Sequence, residues 1–399
     1  MELLSRVPPI IEFIIFVVWR MKYARKDVYE SYDSSSTFSI FGYRGLSNCS
    51  RYTFKAAYGV RDTADFVLVK IICDNGEFGW GEASTIPIYD EGSQADVVFV
   101  VNNYFKPLLM GEEPTNIAYL MEKLSTSVKG SRYAKCAVDF ALHDLVGKIY
   151  NMPVYKLLGG TGEPLPVCWV LSAKTPKDIE KEAGKYFDEG YTNFKLKVGT
   201  DVKKDVENLS VLRNIVGKDA IIRLDGNEAW DAKEAINVID KFSKYNPDHI
   251  EQPVPAWDFE GLKFVKEHIS IPIVADECIL TPKDTMRVAK MDAADRVNIK
   301  ISRDGGIITS RKIASIAQAA GQNPFAGSNL ELGLGTMASA HLFSALPEIT
   351  MATELVGPLL LKEDIVEKPI EYKNGKLFMN DNPGFGIEID MKIVEKYSF

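Results

Sequence analysis

Five short apolar runs recur at a nearly constant interval in this chain, and charged residues stand at their ends. They are Phe194-Lys195-Leu196-Lys197-Val198-Gly199, Ile221-Ile222-Arg223-Leu224-Asp225-Gly226-Asn227, Asp248-His249-Ile250-Glu251-Gln252-Pro253, Ile271-Pro272-Ile273-Val274-Ala275-Asp276-Glu277 and Arg296-Val297-Asn298-Ile299-Lys300. The steps from Lys197 to Asp225, Glu251, Asp276 and Lys300 are 28, 26, 25 and 24 residues. That interval accommodates one strand, one helix and two loops. Its repetition reads as a (β/α) barrel, in which residues at strand C-terminal ends gather at one mouth. A single acid at a strand end is commonly a helix N-cap. Lysine, acid, acid, acid, lysine in phase on successive strands is not explained by capping.

Lys195 and Lys197 stand at i and i+2, so on a strand they face the same side. Two ammonium groups on one face of a buried strand repel each other and resist desolvation, a cost that an anion would relieve. A neighbouring cation also lowers a lysine's pKa, which is how lysine becomes a usable base near neutrality. An exposed strand with two solvated lysines would look the same in isolation, since lysine is usually exposed. The four runs that follow argue against that reading.

The pattern resembles the enolase superfamily, and within it the muconate lactonizing enzyme subgroup. The likeness rests on the K-x-K of Lys195 and Lys197 and the lone Lys300 on the sixth strand. The mandelate racemase subgroup would use a His–Asp dyad, and none of His143, His249, His268 and His341 ends the sixth or seventh strand. The resemblance runs from about residue 52 to the C-terminus. It implies an α/β fold: a (β/α)7β modified TIM barrel with an N-terminal α+β capping domain completed by the C-terminal tail. The expected divisions are an atypical extension at 1–36, a capping domain with a lid loop at 37–163, the barrel at 164–362 and the return to the cap at 363–399.

The chemistry implied is movement of a proton α to a carboxylate through an enediolate, whose dianionic oxygens need a strong positive field. Three carboxylates form a hard oxygen site suited to Mg²⁺ or Mn²⁺. Asp225, Glu251 and Asp276 are the expected ligands, with Asn227 supporting them. Lys197 and Lys300 are expected to address opposite faces of the substrate. Lys195 would hold the substrate carboxylate and depress the Lys197 pKa, and Glu331 would hydrogen-bond near that carboxylate. Loop 52–59 resembles the family's substrate lid, with Tyr52, Phe54 and Tyr58 as its aromatic residues, although plain packing explains aromatics equally well.

The remaining sequence fits this frame. A chain of 399 residues suits a barrel plus a smaller domain, and 46% apolar residues supply a sizeable core. A net charge of −8 argues against nucleic acid and anionic membrane surfaces as partners. The scattered Cys49, Cys73, Cys136, Cys168 and Cys278 read as reduced thiols of a cytoplasmic protein without a zinc site. A homo-oligomer acting on a small-molecule carboxylate is expected. The apolar stretch 8–19 is interrupted by Glu12 and is shorter than the ~18 residues of a spanning helix. Arg20, Lys22, Arg25 and Lys26 follow it, the reverse of a signal peptide's order. An oligomer contact, a disordered extension or a mis-set start is expected there rather than a membrane anchor, with 32–36 as a linker.

In the cap, strand 66–72, the turn Asp74-Asn75-Gly76-Glu77 and strand 78–83 predict a hairpin. Three helical stretches follow, the last at 134–149 with a period near 3.6 and Leu157-Leu158-Gly159-Gly160 as its stop. The Gly79-Trp80-Gly81-Glu82-Ala83 segment, 137–144 and the L-L-G-G resemble the family's cap. In the barrel, strand one is expected at 167–172, a tight turn at Asp304-Gly305-Gly306-Ile307, a helix at 337–345 and strand eight at 350–355. The tail at 382–390 resembles the family's return to the cap.

Two reactions stay open. Thr353-Glu354-Leu355-Val356-Gly357-Pro358-Leu359-Leu360-Leu361 resembles the E-L-x-G-P-L-L-L run of muconate cycloisomerases, which implies lactonization. The alternative is a racemase or epimerase of an N-acyl amino acid or dipeptide. Dipeptide epimerases usually carry Asp-x-Asp on the eighth strand to hold an ammonium group, and Thr353-Glu354-Leu355 counts against that version. A non-catalytic anion-binding barrel would not need lysines on both faces.

Overall fold

The structure is a computed structural model that describes residues 11–17, 43–44, 54–61, 64–88 and 92–397. Seven parallel strands, Trp169–Leu171, Asn193–Lys197, Ile221–Asp225, His249–Glu251, Ile273–Ala275, Arg296–Ile299 and Asn323–Ala326, pair in chain order. Register fixes the mouth: Asp225 is the Cα partner of both Lys197 and Glu251, so these strand ends are neighbours. The expected eighth strand at 350–355 is reduced to a two-residue closure. Thr353 bridges Val167, and the Glu354 N–H donates to the Ala326 carbonyl at 2.9 Å.

Helices Pro176–Asp188, Val202–Val216, Ala232–Ser243, Phe259–His268, Pro282–Met291 and Ile307–Ala319 follow the first six strands. Side chains of Thr175, Asp201, Asp231, Asp258 and Thr281 cap the first five. Capping is therefore done by residues beyond the strand ends, and Asp225, Glu251 and Asp276 remain available for other chemistry. The turn expected at 304–307 is present, with Gly305 and Gly306 at φ 99° and 104°, after an unexpected short helix, Ile301–Asp304. The helix expected at 337–345 runs Gly333–Phe343 and is buried along its whole length.

The cap contains the expected hairpin, Asp65–Cys73 with Phe78–Thr85, packed on helix Arg132–Ile149. A Cβ at Gly81 would collide with the Ala137 carbonyl, so only glycine lets the hairpin lie this close to the helix. That helix stops at Tyr150 with Asn151 in the left-handed region at φ 50°, and the L-L-G-G ends a separate turn, Val154–Leu157. The apolar stretch set apart by the sequence reading joins the cap: Ile11–Val17 pairs antiparallel with Asp65–Cys73 over seven residues. The rest of 1–36 and the proposed linker lie outside the described residues.

Carboxylates tie the cap to the barrel. Glu82 accepts from Leu332 N at 2.9 Å and Gly335 N at 2.7 Å, satisfying the start of helix Gly333–Phe343. Asp139 does the same for Ile307 and Ile308, at 3.0 and 3.2 Å. The tail returns to the cap through the Phe385 N–H on Asp144 Oδ1, at 2.9 Å, and an edge contact with Phe140. Cys73, Cys136, Cys168 and Cys278 are free and buried, and Cys49 lies outside the described residues. No helix among the described residues is long and apolar enough to cross a membrane.

Candidate active site

Asp225, Glu251 and Asp276 converge at the barrel mouth, each buried, with one oxygen from each lying within 4.8 Å of the others. Three hard oxygen donors at this spacing fit a divalent cation of the Mg²⁺ type. Ammonium groups interleave with them. Lys195 Nζ lies 3.0 Å from Asp225, 2.7 Å from Glu251 and 2.8 Å from Glu354. Lys197 Nζ donates to Asp225 Oδ2 at 2.6 Å and Asn227 Oδ1 at 2.9 Å. Lys300, which immediately follows the sixth strand, donates to Asp276 Oδ2 at 2.6 Å. Strands two and six are four places apart in the sheet order, and Lys197 and Lys300 engage different carboxylates of the triad.

The electrostatics follow from this packing. Burial alone would raise the Asp225 carboxyl, but Lys195 and Lys197 hold it well below the usual carboxylate range. Burial pushes Asp276 the same way, and Lys300 with Arg303 reverses it. For Lys197, burial lowers the pKa and Asp225 raises it; Lys195 does push it down as expected, yet the net position is above the ordinary lysine value. Lys195 is itself raised, because Asp225, Glu251 and Glu354 outweigh its burial. The expected depression of Lys197 is therefore outweighed by its own carboxylate partner.

Asn227 is hydrogen-bonded to two of the neighbouring carboxylates. Its N–H donates to Asp225 Oδ1 at 3.0 Å, and its Nδ2 donates to Glu277 Oε1 at 2.8 Å. Burial, then Asp276 and Asp225, push Glu277 up to about 8. Glu331 is turned toward its own loop: it accepts from Asn329 N at 2.9 Å and from the Ser328 hydroxyl, and burial raises its carboxyl. It does not line the pocket above the carboxylates. Tyr58 does, from the turn between Phe54–Ala56 and Gly59–Arg61, and Lys55 O accepts from Ala173 N at 2.9 Å beside the first strand. Tyr52 and the Phe54 side chain lie outside the described residues.

Several contacting residues escaped the sequence reading. Asn298 Nδ2 donates to Glu251 Oε1 at 2.9 Å, and Arg303 Nη1 to Asp276 Oδ1 at 2.7 Å. Gln252 Oε1 accepts from Asp276 N at 3.0 Å. Asn298 stands at i−2 from Lys300, so period-two alternation alone places it on the same face. Beside Tyr58, the pocket is lined by the charged Lys195, Lys197, Lys300 and Glu354 and by Ile86, Val170, Ser328, Asn329 and Leu330.

Known proteins resemble this chain in sequence and fold. The Enolase C-terminal domain-like family profile matches residues 178–393, and the Mandelate racemase / muconate lactonizing enzyme N-terminal domain profile matches 46–159. Muconate cycloisomerase 1 of Acinetobacter baylyi is 37% identical over 349 residues, covering 86% of this chain and 94% of the relative. L-Ala-D/L-Glu epimerase of Clostridium acetobutylicum is 35% identical, covering 84% and 94%. The solved muconate lactonizing enzyme of Pseudomonas fluorescens, complexed with muconolactone, superposes with a TM-score of 0.88 at 30% identity, covering 99% of this chain and 100% of that one. A dipeptide epimerase of Enterococcus faecalis, complexed with Mg and the dipeptide L-Leu-L-Tyr, gives 0.81 at 30% identity, covering 85% and 96%. A capped barrel with lysines and carboxylates at strand ends defines an isomerase scaffold of the enolase type. The chain belongs to the enolase superfamily, in its mandelate racemase / muconate lactonizing enzyme family.

Proposed function

We propose that this protein is a metal-dependent cycloisomerase that closes a lactone from a muconate-type unsaturated dicarboxylic acid. The observation that carries this reading is the charge of the pocket lining. It presents three ammonium groups and a single carboxylate, Glu354, whose Oε2 is already engaged by Lys195 at 2.8 Å. Such a lining favours an anionic, amine-free ligand over one bearing an ammonium group.

Asp225, Glu251 and Asp276 would hold Mg²⁺ or Mn²⁺, which supplies a positive field for the substrate's reacting carboxylate. Lys195 adds to that field from the second strand. One oxygen of the distal carboxylate attacks the conjugated carbon, forming the ring C–O bond while the π electrons move toward the proximal carboxylate as an enediolate. Lys197 or Lys300 then delivers a proton to the α-carbon, and the other lysine contributes positive charge. Asn227 keeps Lys197 and Asp225 in register, and burial of the whole set excludes water that would weaken it.

One observation favours a second reading, a racemase or epimerase of N-acyl amino acids or dipeptides: the site holds two lysines at the ends of separate strands, Lys197 on Asp225 and Lys300 on Asp276, and a two-base reaction needs two such groups. Incubating the Mg²⁺-loaded enzyme with cis,cis-muconate and following loss of the diene absorbance tests the first reading. Incubating it with N-acyl amino acids and dipeptides in D₂O, with α-proton exchange read by NMR, tests the second. Exchange without lactonization would replace the cycloisomerase assignment.

A further inference from the structure

Asn329 is 2% exposed, lines the pocket, and has no hydrogen-bond partner for either Oδ1 or Nδ2 among the described residues. Buried side-chain amides are nearly always satisfied, so one left open toward a ligand cavity calls for a ligand. Its backbone is tightly held. Asn329 N donates to Glu331 Oε1 at 2.9 Å, and Asn329 O accepts from the Ser84 hydroxyl of the cap at 3.2 Å. The next residue, Leu330, is in the left-handed region at φ 60°, which is uncommon for a branched apolar side chain. The Leu330 N–H donates to Ser328 Oγ at 2.8 Å, and Gly357 packs so close that a Cβ there would collide with the Glu331 carbonyl. Backbone strain of this kind persists where surrounding contacts over-determine it, and it concentrates at ligand clamps.

We infer that the Asn329 side-chain amide binds the distal carboxylate of the substrate, a role that rests on the diacid reading above. Lys195, Lys197 and Lys300 supply the pocket with cationic groups for the proximal carboxylate; of its neutral polar side chains, Ser328 already donates to Glu331, and Asn329, beside Tyr58, Ile86 and Val170, has its whole amide left to give. A neutral donor suits a carboxylate that must itself attack. An ammonium or guanidinium donor would add the attraction of a full opposite charge and hold the nucleophile back. Nδ2 donates to the carboxylate oxygen that does not attack, which becomes the lactone carbonyl, and leaves the other oxygen free to form the ring bond. Asn329 thereby selects diacids over monoacids.

The test uses the full-length Mg²⁺-loaded enzyme and two unreactive probes, hexanedioate and hexanoate, titrated calorimetrically. Asn329→Leu should weaken hexanedioate binding about tenfold or more while hexanoate binding is unchanged. Asn329→Asp should weaken the diacid further by repulsion. Mg²⁺ affinity and thermal midpoint, measured on both variants, should match wild type and so exclude misfolding; if Asn329→Leu does not fold, Asn329→Ser takes its place with the same expectation. Equal diacid binding by wild type and variants overturns the assignment. Loss of N-acyl amino acid binding with diacid binding intact also overturns it, and gives the amide to an acyl group. Discrimination by Asn329 without any muconate turnover leaves this inference standing and removes the cycloisomerase reading. Turnover with an unchanged KM in Asn329→Leu does the opposite. A wild type that neither binds the diacid nor turns over muconate removes both.

Discussion

Arg303 Nη1 lies 2.7 Å from Asp276 Oδ1, on the oxygen opposite the one that Lys300 holds at 2.6 Å. The Asp276 carboxylate is thus fixed from two sides by two cations, and both are buried with it. Arg303 also ties the site to the cap, because its carbonyl accepts from Arg132 Nε at 3.0 Å. Partners of this kind set the orientation of a metal-binding carboxylate, and losing one commonly costs 10–100-fold. Arg303→Leu should reduce Mg²⁺ affinity by about that factor, with Arg303→Lys intermediate. Calorimetric titration of each variant with Mg²⁺ checks this, and an unchanged dissociation constant for Arg303→Leu would remove the positioning role.

The carboxylate triad makes a second prediction. Chelation should abolish activity, and readdition of Mg²⁺ or Mn²⁺ should restore it. A cation that binds only the native state stabilises it by mass action, about 2.7 kcal/mol at a hundredfold excess over Kd. Mg²⁺ should therefore raise the thermal midpoint of the wild type, and Asp225→Asn should lose most of that rise. A rise of equal size in Asp225→Asn at the same metal concentration would place the cation elsewhere.

What the sequence made legible was whatever repeats locally. The interval between runs exposes the barrel, and period-two alternation exposes Lys195 with Lys197 on one face. The acids could be separated from helix caps only by their phase across strands, and the structure bears that out by giving the caps to Thr175, Asp201, Asp231, Asp258 and Thr281. Ile11–Val17 was not legible as part of the cap, because its partner begins at Asp65 and nothing local announces a pairing at that separation. The pocket role of Asn329 depends on the left-handed Leu330 and on Gly357 against Glu331, a backbone approach from beyond the next helix. Arg303 sits in a short helix whose reach back to Asp276 is set by tertiary packing. Glu354 was visible only as part of a resembling run, since the strand carrying it shrinks to a bridge.

Stability should fall on acidification through His341. Its Nδ1 accepts from Tyr155 N at 2.9 Å while Nε2 faces the Phe385 carbonyl at 3.2 Å, so the ring is a neutral tautomer with both nitrogens used. Protonating Nδ1 would turn two donors on each other. Burial lowers this histidine to about 4 from 6.5. The unfolded chain then binds more protons than the folded one between those values, so stability rises with pH across that window. The cost is absent above pH 6.5, grows as pH falls toward about 4, and reaches roughly 3 kcal/mol below it. His341→Gln should be flatter than wild type between pH 7 and 4 in urea unfolding. Because His143 and His249 remain in both proteins, the difference between the two curves isolates His341. Parallel curves would mean that the ring is not held neutral.

The two lysines that flank the carboxylates carry the sharpest test of the chemistry. Lys197 reaches Asp225 from the second strand, and Lys300 reaches Asp276 from the end of the sixth. A cycloisomerase transfers one proton to one face, so one lysine carries the transfer and the other contributes charge. A racemase or epimerase must remove a proton with one and return it with the other. A positioned acid–base group contributes roughly 10²–10⁴-fold, so Lys197→Ala and Lys300→Ala should each lower turnover severely. Lysine to alanine also removes an ammonium group from a buried carboxylate, so Mg²⁺ affinity must be measured beside the rate to separate lost chemistry from lost metal. If muconate-type diacids lactonise in wild type and no amino acid derivative exchanges its α-proton in D₂O, the lysines serve lactonization. If each single variant still exchanges the α-proton of just one enantiomer, they are a two-base pair. Full activity in both variants, with metal bound, would leave neither mechanism standing.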